Sequence, residues 1–201
     1  MDPYERGERL CKNLRLMYRG ELVALVSGGA AILSLLYIVW SMDFYGGFLL
    51  RMSLIAIIVG GVMNFVGLVG LRNVHADYMT ALTITLTGIV LSLFYEVLGG
   101  QIWPLDLAGT VLAAVATTLT IQATNACLEE REESGDLPRR GRRLMRGFWI
   151  TYGIDALTTC LVVAPFPETG ILVIDGVNAV VNLIVVIFYM GYLRRGSMVF
   201  R

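Results

Sequence analysis

The chain has 201 residues, 56% hydrophobic and only 16% charged, with a mean hydropathy of +0.69 and a formal net charge of zero. A soluble domain carries about a quarter charged residues, so this composition argues against one, and the unbroken apolar runs lack the alternation of a membrane β-barrel. The predicted fold is all-α: a polytopic bundle of six transmembrane helices arranged as three consecutive hairpins and preceded by a short amphipathic helix.

Residues 1–20 form the first predicted element. Asp2 is a good helix cap, Pro3 suits the first turn, and Glu5 completes a box-like pattern. Leu10, Leu14, Met17 and Tyr18 then fall on one face, with Arg6, Arg9, Lys12, Arg15 and Arg19 mostly around the rest. Such a helix is suited to lying on a leaflet, apolar side down.

The membrane domain covers 21–201. A span needs about 20 mostly apolar residues to cross a core about 30 Å thick. The apolar runs place spans at 22–42, 48–71, 78–98, 106–128, 148–164 and 171–193. Ala24, Gly28 and Ala31 make a small-residue face on the first span. Ala56, Gly60, Asn64 and Gly67 do so on the second, and Gly109 with Ala113 on the fourth. Small residues let helix backbones approach closely, within the bundle or against a partner protein or second copy. A charged loop at 129–147 begins acidic with Glu129, Glu130, Glu132 and Glu133. It turns basic at Arg139, Arg140, Arg142, Arg143 and Arg146.

Basic residues occupy alternate gaps between spans. They lie in 1–20, at Arg72, in 129–147 and at Arg194, Arg195 and Arg201, whereas the gaps 43–47, 99–105 and 165–170 have none. Basic residues in short loops stay cytoplasmic. The expected topology therefore has both termini in the cytoplasm, in a bacterial cytoplasmic membrane or its equivalent. The acidic residues Asp43, Glu96, Asp106, Glu168 and Asp175 lean toward the opposite side. The bilayer is the first expected partner, with anionic lipid at the basic segments. Nucleic acid is not expected, because the basic cluster abuts a span and belongs to no recognition fold.

Polar residues inside the spans are the candidates for function, since ionisable groups in a bilayer usually face a bundle interior or a water-filled cavity. Asp155 follows Gly147 by eight residues, which places it about 12 Å into the membrane. Thr151 and Thr159 lie one turn to either side of it. Asp175, Asn178 and Asn182 follow as i, i+3 and i+7 on the last span. Span two adds Arg51 and Asn64. By depth, Arg51 is expected to meet Glu96 or Asp175, and Asp155 to be protonated, bound to a cation, or hydrogen-bonded to Asn182, Asn64 or threonines. The competing reading of the Asn and Thr groups is interhelical glue.

No catalytic constellation is present. His75 is the sole histidine, and no HExxH, GxSxG or Walker pattern occurs. Cys11, Cys127 and Cys160 show no metal-ligand spacing, so no metal or cofactor is expected.

The functional expectation is a non-enzymatic protein that binds or passes a small solute or ion at Asp155, Asp175, Asn178, Asn182, Asn64 and Arg51. Six short-looped helices with both ends inside also resemble, in topology alone, the substrate-binding components of energy-coupling-factor importers. That resemblance implies a non-catalytic subunit of a larger complex. A structural or immunity-type membrane protein is the third reading.

Overall fold

The computed structural model describes residues 2–41, 44–99, 102–163 and 167–201. Asp43 and the turn residues Gly100, Gln101, Pro165 and Phe166 lie outside the described residues, as do the side chains of Trp40, Phe44, Tyr45 and Glu168. Six α-helices follow one another: α1 (Pro3–Ser41), α2 (Phe44–Leu71), α3 (Ala76–Val97), α4 (Trp103–Glu129), α5 (Leu137–Val163) and α6 (Glu168–Val199). A 3-10 turn, Glu132–Ser134, lies between α4 and α5.

The helical choice follows from the solvent. Hydrocarbon offers no partner to a backbone N–H or C=O, so a single-chain span closes its own hydrogen bonds. Among the described residues, five helices are long and apolar enough to cross a membrane: α1, α2, α3, α4 and α6. Their outward faces carry large exposed apolar residues such as Leu33, Leu36, Ile58, Leu93, Leu172 and Phe188. The chain is therefore an integral, multi-pass membrane protein.

Two expectations about the ends of the spans change. The separate amphipathic helix over 1–20 does not exist as such, because α1 runs unbroken from Pro3 to Ser41. Its apolar residues Leu10, Leu14 and Met17 are buried in the protein core rather than laid on a leaflet. No residue near position 20 stops a helix, and the apolar face finds protein before it finds lipid. The second change is at 129–147. The structure winds the basic half of that segment into the first turns of α5, with Pro138 near its start, where proline is tolerated. Gly135, at φ +56°, takes the left-handed turn before it. The acidic half does meet the basic half: Glu129 accepts from Arg142 at 2.9 Å.

The helix α5 differs from the other five. Its first ten residues hold five arginines, and Asp155 follows. Only 148–163 remain as an apolar stretch, somewhat short of the about 20 residues a span requires. It nonetheless runs beside the spanning helices, packing on α4 and α6.

The buried core sits toward the end of the bundle that holds both termini. Leu10 and Leu14 of α1, Leu71 of α2, Tyr78 of α3, Ile121 and Leu128 of α4, and Leu193 of α6 are all 0–1% exposed. The sole histidine works here as a helix cap, with His75 Nδ1 accepting from the Asp77 N–H at 3.2 Å.

Close helix contact is set by glycine. A methyl group on Gly20 would lie 2.7 Å from the Gly60 carbonyl oxygen, and one on Gly60 equally close to that of Gly20. A methyl on Gly67 would lie 3.1 Å from the Asn13 carbonyl oxygen, and one on Gly70 would collide with the Asn13 carboxamide. The small-residue face read on span two thus packs on α1 within the chain.

Candidate intramembrane polar site

The site is built where α5 crosses α6. Gly147 lets the helices approach, since a methyl there would lie 3.1 Å from Val185 Cγ2. Farther along α5, Thr151 and Asp155 share one face at a four-residue spacing. Asn178 of α6 reaches across to both. Its amide nitrogen donates to the Thr151 carbonyl at 3.1 Å and to Asp155 Oδ1. Asn178 is 3% exposed and Thr151 1%, while Asp155 is half-buried. The Asn178 Oδ1 is buried and has no hydrogen-bond partner among the described residues.

The surroundings of Asp155 are acidic. Asp175 and Asp106 both repel negative charge at its position. Thr159 links the group, its hydroxyl 3.0 Å from the Asp155 carbonyl oxygen and 3.3 Å from Asp106 Oδ2. Among the described residues no Lys or Arg forms an ion pair with Asp155. Nor do they include a group of three His, Cys, Asp or Glu side chains able to hold a metal ion. One oriented carboxylate in a negative neighbourhood is suited to a proton or a small monovalent cation.

The other predicted residues scatter. Asp175, Asn178 and Asn182 do not act as one stripe: Asn178 is buried against α5, whereas Asp175 and Asn182 are exposed. At 100° per residue Asp175 and Asn182 align within about 20°, and Asn178 stands about 40–60° to their side. The α5 contact falls on the Asn178 side. Asp155 therefore takes Asn178 as its partner, where Asn182, Asn64 or threonines were expected. Arg51 is exposed and makes no ion pair among the described residues, so neither Glu96 nor Asp175 is brought to it. The reason is placement, since α2 packs chiefly along α1 and only slightly on α3.

Asn64 belongs to a different polar layer, whose acidic member the sequence reading passed over. Its amide donates to Glu21 Oε1 at 2.9 Å. Its own buried Oδ1 has no hydrogen-bond partner among the described residues and lies 2.9 Å from where a methyl group on Gly20 would sit. Glu21 stands one residue outside the first predicted span, so it read as a flank. The available signal was its neighbour Gly20, the one small residue among large ones at that level.

Toward the termini the layer continues through tyrosines. Tyr78 and Thr124 hydroxyls lie 2.8 Å apart, and the Tyr192 hydroxyl donates to Asn125 Oδ1 at 2.8 Å. The Tyr152 hydroxyl is 3.4 Å from that of Thr117. These contacts tie α3, α4, α5 and α6 together. No protein-family model, curated protein or solved structure matches this chain, so the reading of the site rests on its own geometry.

Proposed function

We propose that this membrane protein binds or passes a proton or small cation through a polar site centred on Asp155. The observation that carries the reading is the Asn178 bridge to Asp155 and Thr151. It fixes a carboxylate between two helices while leaving it without a cationic side chain. In this reading Asp155 is the binding group and Asn178 orients it. Asp175 and Asn182 stand exposed along α6, and the Asp175 carboxylate raises the local cation concentration. Asn64, held by Glu21, and Arg51 sit on α2, which packs chiefly on α1, and lie apart from Asp155. The helix α5 completes six crossings, which keeps both termini in the cytoplasm beside the basic segments.

The test is flux. Purified protein in liposomes carrying an internal pH dye, or an internal sodium-sensitive dye, should pass protons or sodium down an imposed gradient. The Asp155→Asn variant, isosteric and still able to meet Asn178, should lose that flux at equal incorporation. Equal flux in the variant would remove Asp155 from the role.

A second reading, a non-catalytic subunit of a larger membrane complex, is supported by the open small-residue surface of α1. Gly28 and Gly29 have no described atom within 4 Å of an added methyl group. A monodisperse monomer that co-purifies with no other protein would count against it.

A further inference from the structure

A second feature lies at the termini end of α5 and α6, away from Asp155. The two helices enclose a trough of about 490 Å³. Its α5 wall is Leu144 and Gly147, and its α6 wall includes Val185, Phe188 and Gly191. Phe188 is 66% exposed and Ile187 50%, so the trough opens sideways to the surroundings. At one end stand Arg140, Arg143 and Arg195, all exposed. Arg195 and Val185 are ten residues apart on α6, so the apolar channel extends about 15 Å from the guanidinium cluster.

The charges at the mouth do not cancel. Arg140 donates through Nε to Asp136 Oδ2 at 2.8 Å. Asp136 also feels Arg195, but it is one carboxylate against three guanidinium groups. Arg143 and Arg195 form no ion pair among the described residues. The Tyr192 hydroxyl, at the floor, is committed to Asn125.

We propose that this trough is a binding site for one anionic phospholipid of the surrounding bilayer. Arg143 and Arg195 hold the phosphate and an acyl chain lies along Leu144, Phe188 and Gly191. The case rests on the match of charge and polarity along one axis. A basic pocket beside membrane helices binds anionic headgroups, and guanidinium forks suit phosphate oxygens. A water-soluble anion would gain nothing from the apolar channel, and a neutral lipid nothing from the arginines. The inference is independent of Asp155 and of any transport role.

Gly191 supplies the decisive probe, because a side chain there meets no described atom within 4 Å of its Cβ. Gly191→Leu therefore fills the trough without disturbing the helices. Delipidated full-length protein in detergent would be titrated with dioctanoyl phosphatidylglycerol and, separately, dioctanoyl phosphatidylcholine, with bound lipid counted by native mass spectrometry. The expected result is a single site for phosphatidylglycerol, weakened about tenfold in the Arg143→Gln/Arg195→Gln variant. The same site should be lost in Gly191→Leu and unchanged in Arg15→Gln/Arg19→Gln, which removes equal charge elsewhere. Equal binding of the two lipids overturns the proposal, as does wild-type affinity in either trough variant. Should the double arginine variant fail to fold, Gly191→Leu decides the matter.

Discussion

The contact between α1 and α2 allows the sharpest quantitative test. In Gly60→Ala the new methyl would lie 2.7 Å from the Gly20 carbonyl oxygen, 2.9 Å from Ala24 N and 3.0 Å from Ala24 Cβ. The nearest obstacles are backbone atoms of a helix, so no side chain can swing aside. Ordinary contact begins near 3.4 Å, so the helices must separate by roughly 0.7 Å at this level. Overpacking of that kind costs about 1–3 kcal/mol. The same separation stretches the 2.9 Å hydrogen bond from Asn64 to Glu21 toward the limit of useful geometry, and interhelical hydrogen bonds in membranes average about 0.6 kcal/mol. Alanine's better helix propensity returns at most about 1 kcal/mol. The expected net loss is about 1–3 kcal/mol. The neighbouring Gly61→Ala is the control, because a methyl there meets nothing within 4 Å, and it should be neutral or slightly stabilising. The double variant Gly20→Ala/Gly60→Ala should cost less than the two single costs together, since one separation relieves both clashes. Stability would be read from reversible unfolding of the detergent-solubilised protein in mixed micelles with a rising fraction of a denaturing detergent. If Gly60→Ala unfolds together with Gly61→Ala, the close packing described here is wrong.

Three further outcomes follow from named contacts. Tyr192→Phe removes the donor to Asn125 Oδ1 and leaves a buried carboxamide oxygen unsatisfied, which costs about 1–3 kcal/mol; a wild-type melting temperature would contradict this. Asn178→Leu strips Asp155 of its positioning amide, so the flux expected of the wild type should fall even though Asp155 is intact; undiminished flux would show that Asn178 does not orient the carboxylate. The Arg140 side chain donates a hydrogen bond to Asp136 and holds its carboxyl below the usual range. A carboxyl lowered in the folded state adds stability above the unfolded value of about 3.9, and that contribution disappears as pH falls through the lowered folded value. Arg140→Gln should move the Asp136 titration back up toward that ordinary value, as read by carboxyl-carbon NMR, and an unmoved titration would refute the pair.

Much of this architecture was legible from composition and spacing alone. Runs such as 48–71 are too apolar to remain in water and too long for a buried core helix, and hydrocarbon leaves their backbones little choice but α-helix. The small residues Gly60 and Gly67 announced a close helix contact for the same local reason. Those features depend on the residue and its solvent, which a linear sequence displays.

Tertiary structure decided which residues meet. Counting from Gly147 ranks Asp155 along α5, but it names no partner. Asn178 and Asn182 differ by only one turn along α6, and the rotation of that helix against α5 chooses between them. Glu21 and Asn64, separated by 43 positions in the chain, became neighbours only because Gly20 and Gly60 let two backbones touch. Whether the face of Leu10, Leu14 and Met17 rests on lipid or in a protein core is likewise no property of that face. An apolar surface is satisfied by either, and what settles it is whether other helices of the same chain arrive to cover it.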